Sequence, residues 1–154
     1  MSLLKDSTDL TKAIELVIER INEDHLPSDQ PIIIFGSSKC NRMDHLFGQY
    51  HSLLQFSNSN PNIPIYLIQD ASLSRVLRPG YHTLDMSTGY EGKYLGLIPL
   101  GEPANVITRG LKWDINGELK FGELVSTERI IFWPSTDIIS GKDRKRGRSA
   151  ETCL

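Results

Sequence analysis

Two stretches decide the fold of the first half of the chain: Ile32-Ile33-Ile34-Phe35-Gly36-Ser37-Ser38-Lys39-Cys40-Asn41-Arg42 and, further on, Ile65-Tyr66-Leu67-Ile68. Each opens on, or consists of, a four-residue apolar run rich in β-branched side chains. The runs are continuous rather than alternating, the pattern of a strand buried on both faces. Between them Leu46, Phe47, Tyr50, Leu53 and Leu54 recur at helical spacing, and residues 58–64 form a polar, proline-containing loop. Strand, helix, strand predicts a right-handed parallel unit. Upstream, Leu10, Ala13, Ile14, Val17, Ile18 and Ile21 predict an amphipathic helix over 8–24. Ser7 or Thr8 can cap it, and Asp9 lies in its first turn, where the helix dipole favours a carboxylate.

Downstream of residue 70 the pattern changes. Residues 73–77 and 81–86 flank Arg78-Pro79-Gly80, a turn in which Pro fixes φ and Gly is free to go positive. Short strands are predicted at 94–100, 105–108, 111–115 and 118–121. Asn116-Gly117 between two such runs reads as a type I′ hairpin turn. Short strands with turns every 8–12 residues indicate an antiparallel sandwich or barrel. The predicted fold is therefore α/β followed by all-β: residues 1–70 as a partial α/β unit, 71–129 as a β unit, and 130–154 as a divergent, disordered tail.

The chain has 154 residues, 39% hydrophobic and 23% charged, with a formal net charge of −2. This is one domain's length, or two very small ones, with the composition of a globular protein. Its charge is unevenly placed. Residues 141–154 hold five basic and two acidic side chains, leaving 12 basic and 17 acidic ones over 1–140. A body of that sign is not built to coat itself in nucleic acid; the basic tail can touch RNA or serve as a nuclear address, and a solvated, disordered tail explains the same run. No apolar run approaches the 18 or so residues of a membrane span, and the N-terminus lacks a secretory pattern. Two cysteines, Cys40 and Cys153, are too few for a disulfide framework, which fits a reducing cytosol.

Two clusters can carry chemistry. Thr8-Asp9-Leu10-Thr11-Lys12 places an acid, hydroxyls and a lysine at a helix N-terminus, where a metal–phosphate group can be held; a plain capping cluster needs the same residues. The loop from Gly36 to His45 follows a strand and opens a helix, the place where α/β sheets bind ligands. There Arg42 can clamp a phosphate, Lys39 can act as a point charge, and Asp44 and His45 can join acid–base or metal work. A capped loop explains these residues as well. No Walker-type phosphate loop, GxGxxG or Gly-x-Ser-x-Gly elbow is present.

Three blocks in order then carry a resemblance: Gly96-Leu97-Ile98-Pro99-Leu100-Gly101-Glu102-Pro103, Thr108-Arg109-Gly110-Leu111-Lys112-Trp113 and Phe121-Gly122-Glu123-Leu124-Val125-Ser126-Thr127. Together they resemble eukaryotic thiamine pyrophosphokinase. Ser7-Thr8-Asp9-Leu10-Thr11-Lys12 and Arg42-Met43-Asp44-His45 extend the resemblance upstream. It implies an α/β nucleotide domain joined to a thiamine-binding β-sandwich, in a cytoplasmic homodimer or a dimer with a full-length subunit. The implied reaction is pyrophosphoryl transfer from ATP to thiamine with magnesium. By motif, Asp9 binds magnesium, Thr8 and Lys12 line the nucleotide site, Arg42 and Asp44 position the phosphates and thiamine, and Ser126 and Thr127 face thiamine. Asp9, Arg42 and Asp44 are thus the implied catalytic set. Leu111 and Trp113 read as sandwich core.

The departures shape the expectation. Gly36-Ser37-Ser38-Lys39-Cys40-Asn41 has few of the glycines that let a backbone approach a phosphate. The family's Ala-Asp-Gly-Gly-Ala-Asn-like segment and Gly-Asp-x-Asp-Ser motif are not found, so Asp9 lacks partner carboxylates. The chain reads as a truncated form with weak or no activity alone. The alternatives are a non-catalytic thiamine-binding or dimer-modulating module, or an incomplete gene model.

Overall fold

The structure, a computed structural model, describes residues 8–27, 30–36, 42–130 and 135–140. Helix α1 (Asp9–Glu23) is followed by strand β1 (Ile32–Phe35), helix α2 (Met43–Ser59), β2 (Ile65–Gln69) and β3 (Ser72–Arg75). Six further strands complete the order: β4 (Gly80–Asp85), β5 (Tyr94–Leu97), β6 (Ala104–Arg109), β7 (Asn116–Leu119), β8 (Ser126–Ile130) and β9 (Ser135–Ser140). The chain divides into two compact units, Met1–Val76 and Leu77–Leu154.

In the first unit β1 and β2 pair in parallel, Ile32 opposite Ile65 and Phe35 opposite Ile68, as the strand–helix–strand pattern predicts. The core gathers Ile14 and Ile21 of α1, Leu53 and Phe56 of α2, and Ile32, Ile65 and Leu67 of the sheet. Two expectations are corrected here. Residues 72–75 do not open the β half; they form β3, antiparallel to β2. Asp70, at φ 50, turns the chain back on itself in the left-handed region that Asp tolerates better than most residues. Nor is β1 buried on both faces. Alternation sends Ile32 into the core and leaves Ile33 half exposed and Phe35 76% exposed. The rows Ile33–Tyr66–Arg75 and Phe35–Ile68–Leu73 make an open, largely apolar outer face, crossed by a cation–π contact from Arg75 to Tyr66.

The second unit has a four-stranded sheet in the order β4-β9-β6-β7 and a two-stranded sheet of β5 and β8, every pairing antiparallel. Leu95 and Leu97 of β5 pack on the core formed by Val106, Ile115, Leu119 and Ile138, so both sheets share one interior. Two more corrections follow. The stretch assigned to a disordered tail contains β9, which pairs with β4 on one side and β6 on the other and buries Ile138 to 1% exposure. Polar flanks hide its alternation in the sequence. And Asn116-Gly117 is not a turn. Both residues lie in β7, opposite Ile107 and Val106. The true connection runs from Gly110, at φ 99, to Ile115.

Candidate functional site

The first cluster is built on the start of α1. Thr8 caps the helix, its hydroxyl accepting from Thr11 N at 3.2 Å and lying 2.9 Å from the Thr11 hydroxyl. Thr11 Oγ1 in turn lies 3.4 Å from Ser52 Oγ, a buried hydroxyl of α2 that donates to Gly48 O. The threonines thus fix the end of α1 against α2. Asp9 is fully exposed, 3.7 Å from Lys12 Nζ.

The second cluster opens α2. Arg42 stands at the N-cap and reaches back to Asp44 with both prongs, Nε at 3.1 Å from Oδ1 and a terminal nitrogen on Oδ2. The guanidinium holds the Asp44 carboxyl below the ordinary carboxylate range, helped by the backbone N–H of His45. Both side chains are exposed. Any phosphate that Arg42 binds must therefore compete with Asp44. Beneath this turn Gln49 Oε1 is buried with no hydrogen-bond partner among the described residues, close to Gly36 at the end of β1. Along α2, Asp44 lies eight residues, about 12 Å, ahead of Ser52, the residue that Thr11 touches. The loop residues 37–41, with Lys39 and Cys40, lie outside the described residues.

These groups do not fit a resident magnesium ion. Among the described residues no three His, Cys, Asp or Glu side chains gather. Asp9, the carboxylate expected to hold the metal, is solvated and paired with an ammonium; a lone carboxylate of that kind is a poor magnesium ligand set.

In the second unit the side chains of Ser126 and Thr127 point apart, as successive strand residues do. Ser126 is 2% exposed, while Thr127 is open to solvent. Close by in the β5–β8 pair, Gly96 brings its α-carbon over the β8 backbone, where a methyl group on Gly96 would lie 3.4 Å from Ser126 O. Leu111 is buried, as expected, but Trp113 is not core. Its indole is 50% exposed at the tip of the β6–β7 connection, with Lys112 Nζ 4.5 Å from the ring centroid.

Residues 81–127, which run from β4 into β8, match the family described as thiamin pyrophosphokinase, vitamin B1 binding domain. Over 130 residues, 82% of its length, the chain is 33% identical to thiamine pyrophosphokinase 2 of Arabidopsis thaliana and 34% identical to thiamine pyrophosphokinase 1 of the same plant. This chain is a relative of the thiamine pyrophosphokinases. It spans about half of those two proteins, 46% of each. The fold agrees. The crystal structure of a thiamine pyrophosphokinase from Bacillus subtilis superposes on 88% of this chain with a TM-score of 0.72 at 22% identity, using 59% of its own length.

Thr8 and Thr11 serve the helix cap, Arg42 and Asp44 pair with each other, and Asp9 lies beside Lys12. The exposed aromatic that sequence reasoning placed in the core is Trp113. Its position in Leu111-Lys112-Trp113-Asp114-Ile115 carried the signal, since Leu111 and Ile115 already take the buried places of that loop.

Proposed function

We propose that this chain supplies the thiamine-binding part of a thiamine diphosphokinase, the enzyme that transfers a pyrophosphoryl group from ATP to the thiamine hydroxyl and yields thiamine diphosphate and AMP. The observation that carries this reading is the match of residues 81–127 to a vitamin B1 binding domain, coinciding with strands that form one packed unit. In this reading the first unit is part of an α/β nucleotide domain and the second a thiamine-binding sandwich. Thr127 and Trp113 offer exposed side chains to the vitamin. The thiazolium ring of thiamine is a cation, and the indole face that holds Lys112 Nζ has the electrostatics to attract it too once that ammonium swings out to solvent. Arg42 is the group for ATP phosphates and Asp44 its internal counter-ion; Thr8 and Lys12 flank the nucleotide. Pyrophosphoryl transfer needs positioning and neutralisation of charge more than covalent chemistry. Asp9 alone cannot hold the magnesium that accompanies ATP, so turnover by this chain by itself is weak or absent.

That last point favours a second reading, of a thiamine-binding module that works as a dimer with a full-length cytoplasmic subunit. One pair of measurements separates the two. Calorimetry with thiamine tests binding, and AMP release from ATP plus thiamine tests turnover. We expect binding without turnover from the isolated chain. AMP release matching that of the Arabidopsis relative would overturn the weak-activity reading, and no thiamine binding would overturn the family function. Replacing Trp113 by Ala is expected to weaken thiamine binding by about 1–2 kcal/mol, roughly five- to thirtyfold, with the melting temperature retained.

A further inference from the structure

We propose that Asp114 is a positioning residue for Trp113: its carboxylate locks the β6–β7 connection so that the indole is held ready for a ring cation. The role of that cation rests on the thiamine-binding reading; the lock itself is a matter of geometry. The connection leaves β6 after Arg109 and enters β7 at Asn116. Its base is closed by Thr108 and Ile115. Thr108 N donates to Ile115 O at 2.9 Å, and Ile115 N donates to Thr108 Oγ1 at 2.8 Å. Thr108 is 2% exposed, so its hydroxyl has to find partners within the protein. It spends its proton on Asp114 Oδ1, 3.0 Å away. The same oxygen accepts from Leu111 N, also at 3.0 Å. One carboxylate oxygen thus ties the last buried residue before the loop to the residue that anchors it in the core.

Lys112 and Trp113 are the exposed pair between those ties. A solvated aromatic on an untied loop must be ordered each time a ligand binds, and that ordering is subtracted from affinity. Asp114, next in the chain to Trp113, fixes in advance the backbone that carries the indole. The exposed carboxylate therefore has a purpose beyond solubility. It acts on the ligand through Trp113 and need not touch it.

The test uses the full chain with Trp133→Phe, which leaves Trp113 as the one remaining tryptophan of the two. The readouts are the near-ultraviolet circular dichroism of Trp113 and the quenching of its emission by thiamine. Asp114→Ala is expected to flatten the dichroic band and weaken thiamine binding about fivefold or more. Asp114→Asn keeps Oδ1 as an acceptor and is expected to restore both. If Asp114→Ala does not fold, Asp114→Glu, which displaces the carboxylate by one methylene, takes its place with the same expected loss. An unchanged band and unchanged quenching in the Ala or Glu variant would overturn the positioning role alone. Absence of any thiamine quenching in the parent would overturn the thiamine reading and the assigned role with it.

Discussion

Ile138 sits at the centre of β9, 1% exposed, in the core with Val106, Ile115 and Leu119. Replacing it by Ala deletes three buried carbons. At about 0.8 kcal/mol for each buried methylene the transfer loss alone is about 2.4 kcal/mol. The cavity left between two strands adds to that, giving about 3 kcal/mol, inside the range for buried Ile to Ala. Ile139, one residue on, faces the other side of the sheet and is only partly buried. Its replacement should cost about 1 kcal/mol or less. The assay is equilibrium urea unfolding of the full chain, followed by a probe in the second unit such as Trp113 emission in the Trp133→Phe background. Equal, small effects of Ile138→Ala and Ile139→Ala would refute the placement of residues 135–140 as a central strand. A large effect at Ile139 with little at Ile138 would refute the register. The outcome bears on function, because the same core carries the strands that the vitamin B1 domain match covers.

The Asp44 carboxyl titrates below its ordinary range because Arg42 grips it. Its ionised form is the one favoured in the folded chain, so the stabilisation is present above the unfolded pKa and fades as pH falls through the folded value. Arg42→Gln should move the Asp44 titration, followed by carboxyl carbon NMR, up toward the ordinary carboxylate value; an unmoved midpoint would show that the pair does not exist in solution. Thr8→Ala removes the cap of α1 and should cost about 1 kcal/mol in the first unit, whereas Thr8→Ser should cost much less. Equal unfolding midpoints for the two variants would refute the capping role.

Much of the first unit was legible in the sequence because local pattern and tertiary role coincide there. Ile32–Phe35 and the helical spacing of α1 and α2 each need only short-range information. The errors arose where pattern is ambiguous. A continuous apolar run can mean two covered faces or one, and Ile33 and Phe35 prove open. Asn-Gly has the strongest turn preference, yet Gly117 pairs with Val106 inside a ladder because the Thr108–Asp114 lock makes the turn earlier. Trp113 reads as core by size alone; whether its neighbours have already filled the interior is visible only in three dimensions. At the candidate site, the sequence marked Thr8 as a cap, which the structure keeps, but not the contact of Thr11 with Ser52, which depends on how α1 packs on α2. The grip of Arg42 on Asp44 spans only two residues, yet it rests on side-chain rotamers that spacing does not set.

The central position of β9 also sets a timetable. β4 meets its neighbour only across 50 to 60 residues of chain, from Asp85 with Ser135 to Gly80 with Ser140. A nascent polypeptide that has emerged as far as β8 can close the β6–β7 and β5–β8 pairs, but β4 has no strand to join. The ribosome must release residues 135–140 before the four-stranded sheet exists, and that last pairing is the non-local step that slows folding. Until then the inward side chains of β4 and β6 wait uncovered, and this is the interval in which a chaperone has most to offer.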